Sequence, residues 1–465
     1  MAYDTVITGG TIATEAGPVR ADVAVSEERI AALGTGFGPA REVIDASGLI
    51  VTPGGVDPHC HIEQMSGMGL MNADTFETAT ASAAMGGTTT VISFAAQQRG
   101  EPPEDTVAAY AARAARGARI DHAFHFSVAD PTASGFAGGV ARIASAGHRS
   151  VKAFTTYNVK LEDAEILALM DVTRDAGQLL CVHAETDAII ARERSRLLAA
   201  GRTRPLDHAA SRPVGAEVDA VARICRFARL TGAPTMIFHV TAAAVVDVIR
   251  EARAAGAPVW AETCTHYLFQ TEEVLDRPGI EGAKWMCSPP QRSEADREAL
   301  WAALEEGVLS LVSSDHAPYR MDESGKLSAG ADAPFPKIAN GQPGLEVRLP
   351  LLFDAMVSRG RGGLARFVEL TAGAPARIYG LEHKGRIAPG ADADLVLWNP
   401  GRSHIYGAAD LHDNVGYNPF EGTRVTGWPV RTLLRGRTIV EDGALSAPPG
   451  SGQWLSRPAF GTVPL

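Results

Sequence analysis

Residues 150–184 read SVKAFTTYNVKLEDAEILALMDVTRDAGQLLCVHA, and this stretch decides the fold. Residues 150–155 and 179–184 are short β-rich runs. Between them, residues 161–176 carry apolar side chains at helical spacing, so the unit reads as strand, helix, strand. Two strands joined by a helical crossover run parallel. The same rhythm extends both ways: further β-rich runs lie at 56–61, 88–94, 123–128, 235–240, 259–264 and 309–315, with helical segments such as 105–116, 214–231 and 241–255 between runs. Eight such units in about 260 residues match a (β/α)8 TIM barrel, although an open doubly wound sheet would show the same alternation.

Outside this region the pattern changes. Residues 3–8, 21–25, 29–33 and 43–45 read as short strands separated by Gly, Pro and Asp turns. So do 395–398 and 430–440, the latter with an Arg435-Gly436-Arg437 turn inside it. Neither end has enough strands to bury a sheet face alone. Together they are expected to form one small β-sandwich domain from residues 1–53 and 376–445, around a catalytic barrel at 54–375. The Pro/Gly-rich residues 446–465 read as a C-terminal arm or tail.

Composition narrows the function. The 465 residues carry 43 basic and 54 acidic side chains, a net charge of −11, which argues against nucleic acid or an anionic membrane as partner. No apolar run is long enough for a transmembrane helix and no signal peptide is read at the N-terminus. Five widely spread cysteines fit a reducing cytoplasm better than a disulfide framework. Among the basic residues, only six are lysine.

In a barrel, chemistry sits at the C-terminal ends of the strands. The first run ends in Asp57-Pro58-His59-Cys60-His61, the fifth in His183-Ala184-Glu185, the sixth in His239, the seventh in Glu262-Thr263-Cys264 and the eighth in Asp315-His316. A His-x-His pair on a strand points both imidazoles to one side, a half-site for a divalent metal. Each of the other groups has an ordinary alternative. His183 and His239 could be hydrogen-bonded core histidines, and Asp315 a helix N-cap. Lys152 stands in a run otherwise fit for burial. Burial favours a neutral amine, which beside two metal ions can add carbon dioxide to form a bridging carbamate, while a lysine reaching out of the strand end fits the spacing equally.

These residues carry a resemblance. The segments 54–61 (GGVDPHCH), 86–90 (GGTTT), 152–157 (KAFTTY), 182–185 (VHAE), 208–213 (HAASRP), 238–240 (FHV), 262–264 (ETC), 287–290 (CSPP), 314–316 (SDH), 340–346 (NGQPGLE) and 384–395 occur in an order that resembles the dihydropyrimidinase/hydantoinase branch of the amidohydrolase superfamily over nearly the whole chain. The resemblance implies a binuclear metal site, usually zinc, with a hydroxide between the ions. His59, His61 and Asp315 would hold one ion, His183 and His239 the other, and N6-carboxylated Lys152 would bridge them. It implies that Asp315 moves the proton, that Tyr157 donates to the developing oxyanion, and that Ser288 and Asn340 hold a cyclic amide or ureide through their backbone. The expected reaction opens a dihydropyrimidine or hydantoin ring to an N-carbamoyl amino acid, in a homotetramer. Asn158 departs from the family, which usually has lysine there. The loops 64–72, with Met65, Met68 and Met71, and 157–161 are expected to shape the pocket for the ring substituent. Allantoinase or cyclic imidase activity is the alternative, and Tyr157 favours the hydantoinase side. A non-enzymatic role, as in the collapsin response mediator proteins of the same fold, is disfavoured by the complete set of metal positions.

Overall fold

Eight strands, β1 (Gly55–Cys60), β2 (Thr88–Ala96), β3 (Asp121–Ser127), β4 (Ser150–Phe154), β5 (Leu179–His183), β6 (Thr235–Ile237), β7 (Val259–Cys264) and β8 (Leu311–Ser313), pair side by side in chain order and in parallel. Beyond β8, His316 bridges Cys60, and its carbonyl accepts from the His61 N–H at 2.7 Å. The ring is thereby closed, which selects the barrel over the open sheet. The computed structural model describes residues 3–461 and 463; Met1, Ala2, Thr462, Pro464 and Leu465 lie outside the described residues.

Period-two alternation sorts each strand into a face toward the axis and a face toward the helices. Leu179 and Cys181 of β5, Trp260 of β7 and Leu311 of β8 fill the barrel interior, while Leu180, Val182, Ala261 and Val312 face the helical layer. The helix at Val214–Thr231 has the bounds its periodicity predicts. The helix at Glu294–Glu306 begins at Ser293, whose side chain accepts from the Asp296 N–H, and ends at Gly307 in the left-handed region. The entry to β1 requires its two glycines: a Cβ on Gly54 would lie 2.2 Å from Thr89 Oγ1, and one on Gly55 2.6 Å from Leu349 Cδ1.

Both termini build the second domain. Its strands Tyr3–Thr14, Gly17–Ser26, Arg29–Gly34, Ala40–Asp45, Ile50–Pro53, Leu395–Ile405, Arg424–Leu434, Arg437–Glu441 and Ala444–Leu445 are hydrogen-bonded into one nine-stranded sheet. The two ends meet where Ile50–Pro53 runs antiparallel to residues 395–398. This sheet has an apolar core of its own around Ile12, Val23, Val51, Leu395 and Leu433.

The C-terminal segment lies across the barrel floor, at the strand starts. The His122 N–H donates to the Gln453 carbonyl, the Arg457 N–H to Gly147 and the Phe460 N–H to Gly177. The Arg457 guanidinium, 2% exposed, reaches Ser150 Oγ at 3.1 Å and the Phe124 carbonyl. Beside it, Lys384 Nζ pairs with Asp121 at 2.6 Å, Asp394 at 2.8 Å and Asp392 at 3.0 Å.

Candidate metal centre and active site

At the opposite end the inward rungs are polar. Alternation from Leu179 and Cys181 brings His183 onto the inner face of β5. In the same way it places Lys152 beyond Ser150 and Glu262 beyond Trp260, while Asp315 stands two residues past the end of β8 with φ +46°. His59 does not follow from simple alternation. In β1 three residue steps from Asp57 to Cys60 oppose two from Val91 to Ser93 in β2. This β-bulge re-aims the strand end.

The ligand atoms of His59, His61 and Asp315 lie within 4.8 Å of one another. His59 Nε2 is 3.1 Å and His61 Nε2 3.3 Å from Asp315 Oδ1. The other ring nitrogens are taken: His59 Nδ1 pairs with Glu262, and His61 Nδ1 meets Gln64 Oε1 at 2.6 Å. With the proton held at Nδ1, the Nε2 lone pairs face inward. Burial alone would raise the Asp315 carboxyl, but the charges and hydrogen bonds of His59 and His61 hold it well below the usual range.

His239 and His183 form a second pair, with ring centroids 4.4 Å apart, and His239 lies 5.5 Å from His59. His183 Nε2 meets Glu185 Oε2 at 2.7 Å, and Glu185 is in turn paired with Arg212. Burial works against the Glu185 charge, yet Arg212 and the His183 hydrogen bond keep its carboxyl down at about 2. His239 Nδ1 is buried without a hydrogen-bond partner among the described residues.

Lys152 is 1% exposed. Its Nζ sits 4.0 Å from the Phe238 ring centroid, 4.9 Å from Phe154 and 5.4 Å from Phe94. No carboxylate among the described residues lies within ion-pairing distance. Burial lowers its pKa to about 8, offset only in part by the more distant charge of Asp315.

Tyr157, half-buried after β4, has its ring centroid 5.3 Å from that of His183, under the Arg212 guanidinium. Burial pushes its hydroxyl up to about 12, so it stays protonated. Ser288 Oγ lies 3.2 Å from His208 Nε2. Asn340 presents a buried Oδ1 with no hydrogen-bond partner among the described residues. The donor set of imidazoles and a carboxylate, the unpartnered His239 nitrogen and an amine without counter-charge all fit a divalent metal centre.

The amidohydrolase family pattern matches residues 50–439, from the strand that enters the barrel to the last long strands of the sheet. The chain belongs to this family. Among its amidohydrolase relatives are a D-hydantoinase of Ralstonia pickettii, 39% identical over 98% of this chain and 99% of that one, and a D-hydantoinase of Geobacillus stearothermophilus, 37% identical over 98% and 97%. A solved D-hydantoinase superposes with a TM-score of 0.95 at 38% identity, covering 99% of this chain and 100% of that one. A dihydropyrimidinase from Brevibacillus agri gives 0.95 at 35%, with the same coverage. The dihydropyrimidinase/hydantoinase branch named by the sequence motifs is therefore the one to which the chain belongs.

Four supporting residues carried no assigned role in the sequence: Glu262, Gln64, Glu185 and Arg212. Glu262 had a usable signal, because a carboxylate ending an otherwise apolar barrel strand needs a partner. The pairing of Gln64 and of Arg212 depends on loops whose course no strand pattern indicates.

Proposed function

We propose that this chain is a metal-dependent cyclic amidohydrolase that opens dihydropyrimidine or hydantoin rings to N-carbamoyl amino acids. The observation that carries the reading is the convergence of His59, His61, His183, His239 and Asp315 around a buried lysine without a counter-charge. The relatives named D-hydantoinase, at 37–39% identity over nearly full length, support it.

His59, His61 and Asp315 would hold one divalent ion, and His183 and His239 a second, with zinc favoured by the imidazole-rich donor set. Lys152 would bridge them as its N6-carboxylate: the neutral amine, accessible with a pKa of about 8, adds carbon dioxide and releases a proton. When bound, such an ion pair supplies Lewis acidity and makes water acidic near neutral pH. Asp315 accepts the proton of the attacking water and delivers it to the leaving ring nitrogen. Tyr157, protonated up to about pH 12, donates to the oxyanion that develops on the attacked carbonyl. The backbone at Ser288 and Asn340 orients the ring, and Glu185 with Arg212 holds His183 in register.

A homotetramer in the cytoplasm completes the reading. Five buried free cysteines support the compartment, and no helix among the described residues is long and apolar enough to cross a membrane. Metal-quantified protein should be assayed on dihydrouracil, hydantoin, 5-substituted hydantoins, allantoin and succinimide, with light scattering for the oligomer. Ring opening of hydantoins or dihydrouracil is expected. Hydrolysis of allantoin alone would move the chain to the allantoinase side, and no hydrolysis with two metals bound would sink the reading.

A further inference from the structure

Lys326 is fully buried, in the long loop after β8, and the chemistry above does not use it. Its Nζ donates to the Ala339 carbonyl at 2.9 Å and to the Gly341 carbonyl at 2.7 Å. No carboxylate among the described residues is within ion-pairing distance of it. Burying an ammonium on carbonyls alone is expensive, and burial brings this amine down to about 7. A methionine of similar length would fill the same space without that cost, so the gain lies in the two hydrogen bonds.

Those two carbonyls flank Asn340. In a trans peptide the C=O and N–H point in opposite directions. Anchoring the Ala339 carbonyl to Lys326 therefore aims the Asn340 N–H away from Lys326, and this N–H donates to no other described residue. The next peptide is fixed as well: the Gly341 N–H donates to the Met286 carbonyl at 2.8 Å. Gly341 itself has φ +135°, and a Cβ there would lie 2.1 Å from the Ala317 carbonyl. The neighbouring segment is held in the same manner, with His208 Nε2 2.8 Å from the Cys287 carbonyl and 3.2 Å from Ser288 Oγ.

We propose that Lys326 is a positioning residue for ring recognition, holding from behind the carbonyls of the two residues that flank Asn340, Ala339 and Gly341, so that the Asn340 N–H stays free and aimed at an acceptor on the cyclic amide. This rests on the reading that Asn340 holds the substrate. The lock sets the affinity for the ring rather than the metal content or the chemical step.

Lys326→Met in the metal-loaded enzyme tests it. KM for the best hydantoin is expected to rise at least about tenfold, the worth of one charge-assisted hydrogen bond, with kcat and bound metal close to wild type. Hydrogen exchange of the Gly341 amide should speed up by a similar factor. Lys326→Gln, which keeps a shorter donor, should fall between, and it serves if the methionine variant fails to fold. Leu197→Ala, a cavity in the adjoining apolar cluster, should lower the melting temperature while leaving KM and Gly341 exchange alone. Wild-type KM and wild-type Gly341 exchange in both Lys326 variants would overturn the proposal, as would an equal KM rise in Leu197→Ala. If the wild-type enzyme with two metals opens no ring, the reading of the substrate fails instead, and Gly341 exchange alone decides whether Lys326 locks this backbone.

Discussion

Lys152 at the mouth of the barrel and Lys384 at its floor are almost equally buried, and their surroundings are opposite. Lys384 pairs with three aspartates, which push its pKa upward despite burial. Lys152 is ringed by phenylalanines, and burial pushes it down to about 8. The same side chain is a fixed charge at one end of the barrel and an available amine at the other. The difference teaches that burial alone says little about a lysine; the presence or absence of a carboxylate decides whether it serves structure or chemistry.

The largest expected effect falls at the mouth. Lys152→Ala should lose most of its metal by elemental analysis, and ring opening should fall by at least about a thousandfold. Lys152→Met, which keeps the volume, should leave the metal-free protein's urea midpoint unchanged or higher. Full metal and activity in either variant would break the contrast. Lys384→Met should do the reverse: it removes the cation paired with Asp394 and one of those on Asp121 and Asp392, which keep Arg435 and Arg29, and should cost about 3–5 kcal/mol in urea unfolding, with kcat per folded, metal-loaded molecule unaltered. A loss of kcat there without loss of stability would mean that the floor reaches the chemistry. Tyr157→Phe sharpens the mouth side, with kcat expected to drop about a hundredfold or more while metal content stays the same. The smallest effect belongs to Arg457→Met, which removes the donor to the Phe124 carbonyl and should cost about 1–3 kcal/mol with the kinetics intact.

The strand rhythm made most of this arrangement legible. Alternation alone carries Leu179, Cys181 and His183, or Ser150 and Lys152, onto one face. It fails at β6, where Met236 and Phe238 face inward and His239 should therefore face out. The backbone there turns into the left-handed region, φ +40°, and brings the imidazole back beside His183. Asp315 (φ +46°) and Tyr157 (φ +72°) share this conformation. It is costly for a residue with a Cβ and is sustained only by its surroundings. That is why the runs read as 235–240 and 309–315 end as strands at Ile237 and Ser313: the functional side chains stand where the chain leaves the sheet. Sequence periodicity describes regular backbone, so it is blind at these steps. It was equally silent on the C-terminal segment, whose Pro and Gly residues gave no sign that Arg457 enters the floor.

The seam between Ile50–Pro53 and residues 395–398 has a consequence for synthesis. The first five strands leave the ribosome more than 300 residues before the partner that covers their open edge. The segment that closes the floor beneath β3 to β5 is made later still. A nascent chain can therefore form its strand–helix units one after another, yet the barrel floor is enclosed only when residues 453–460 arrive.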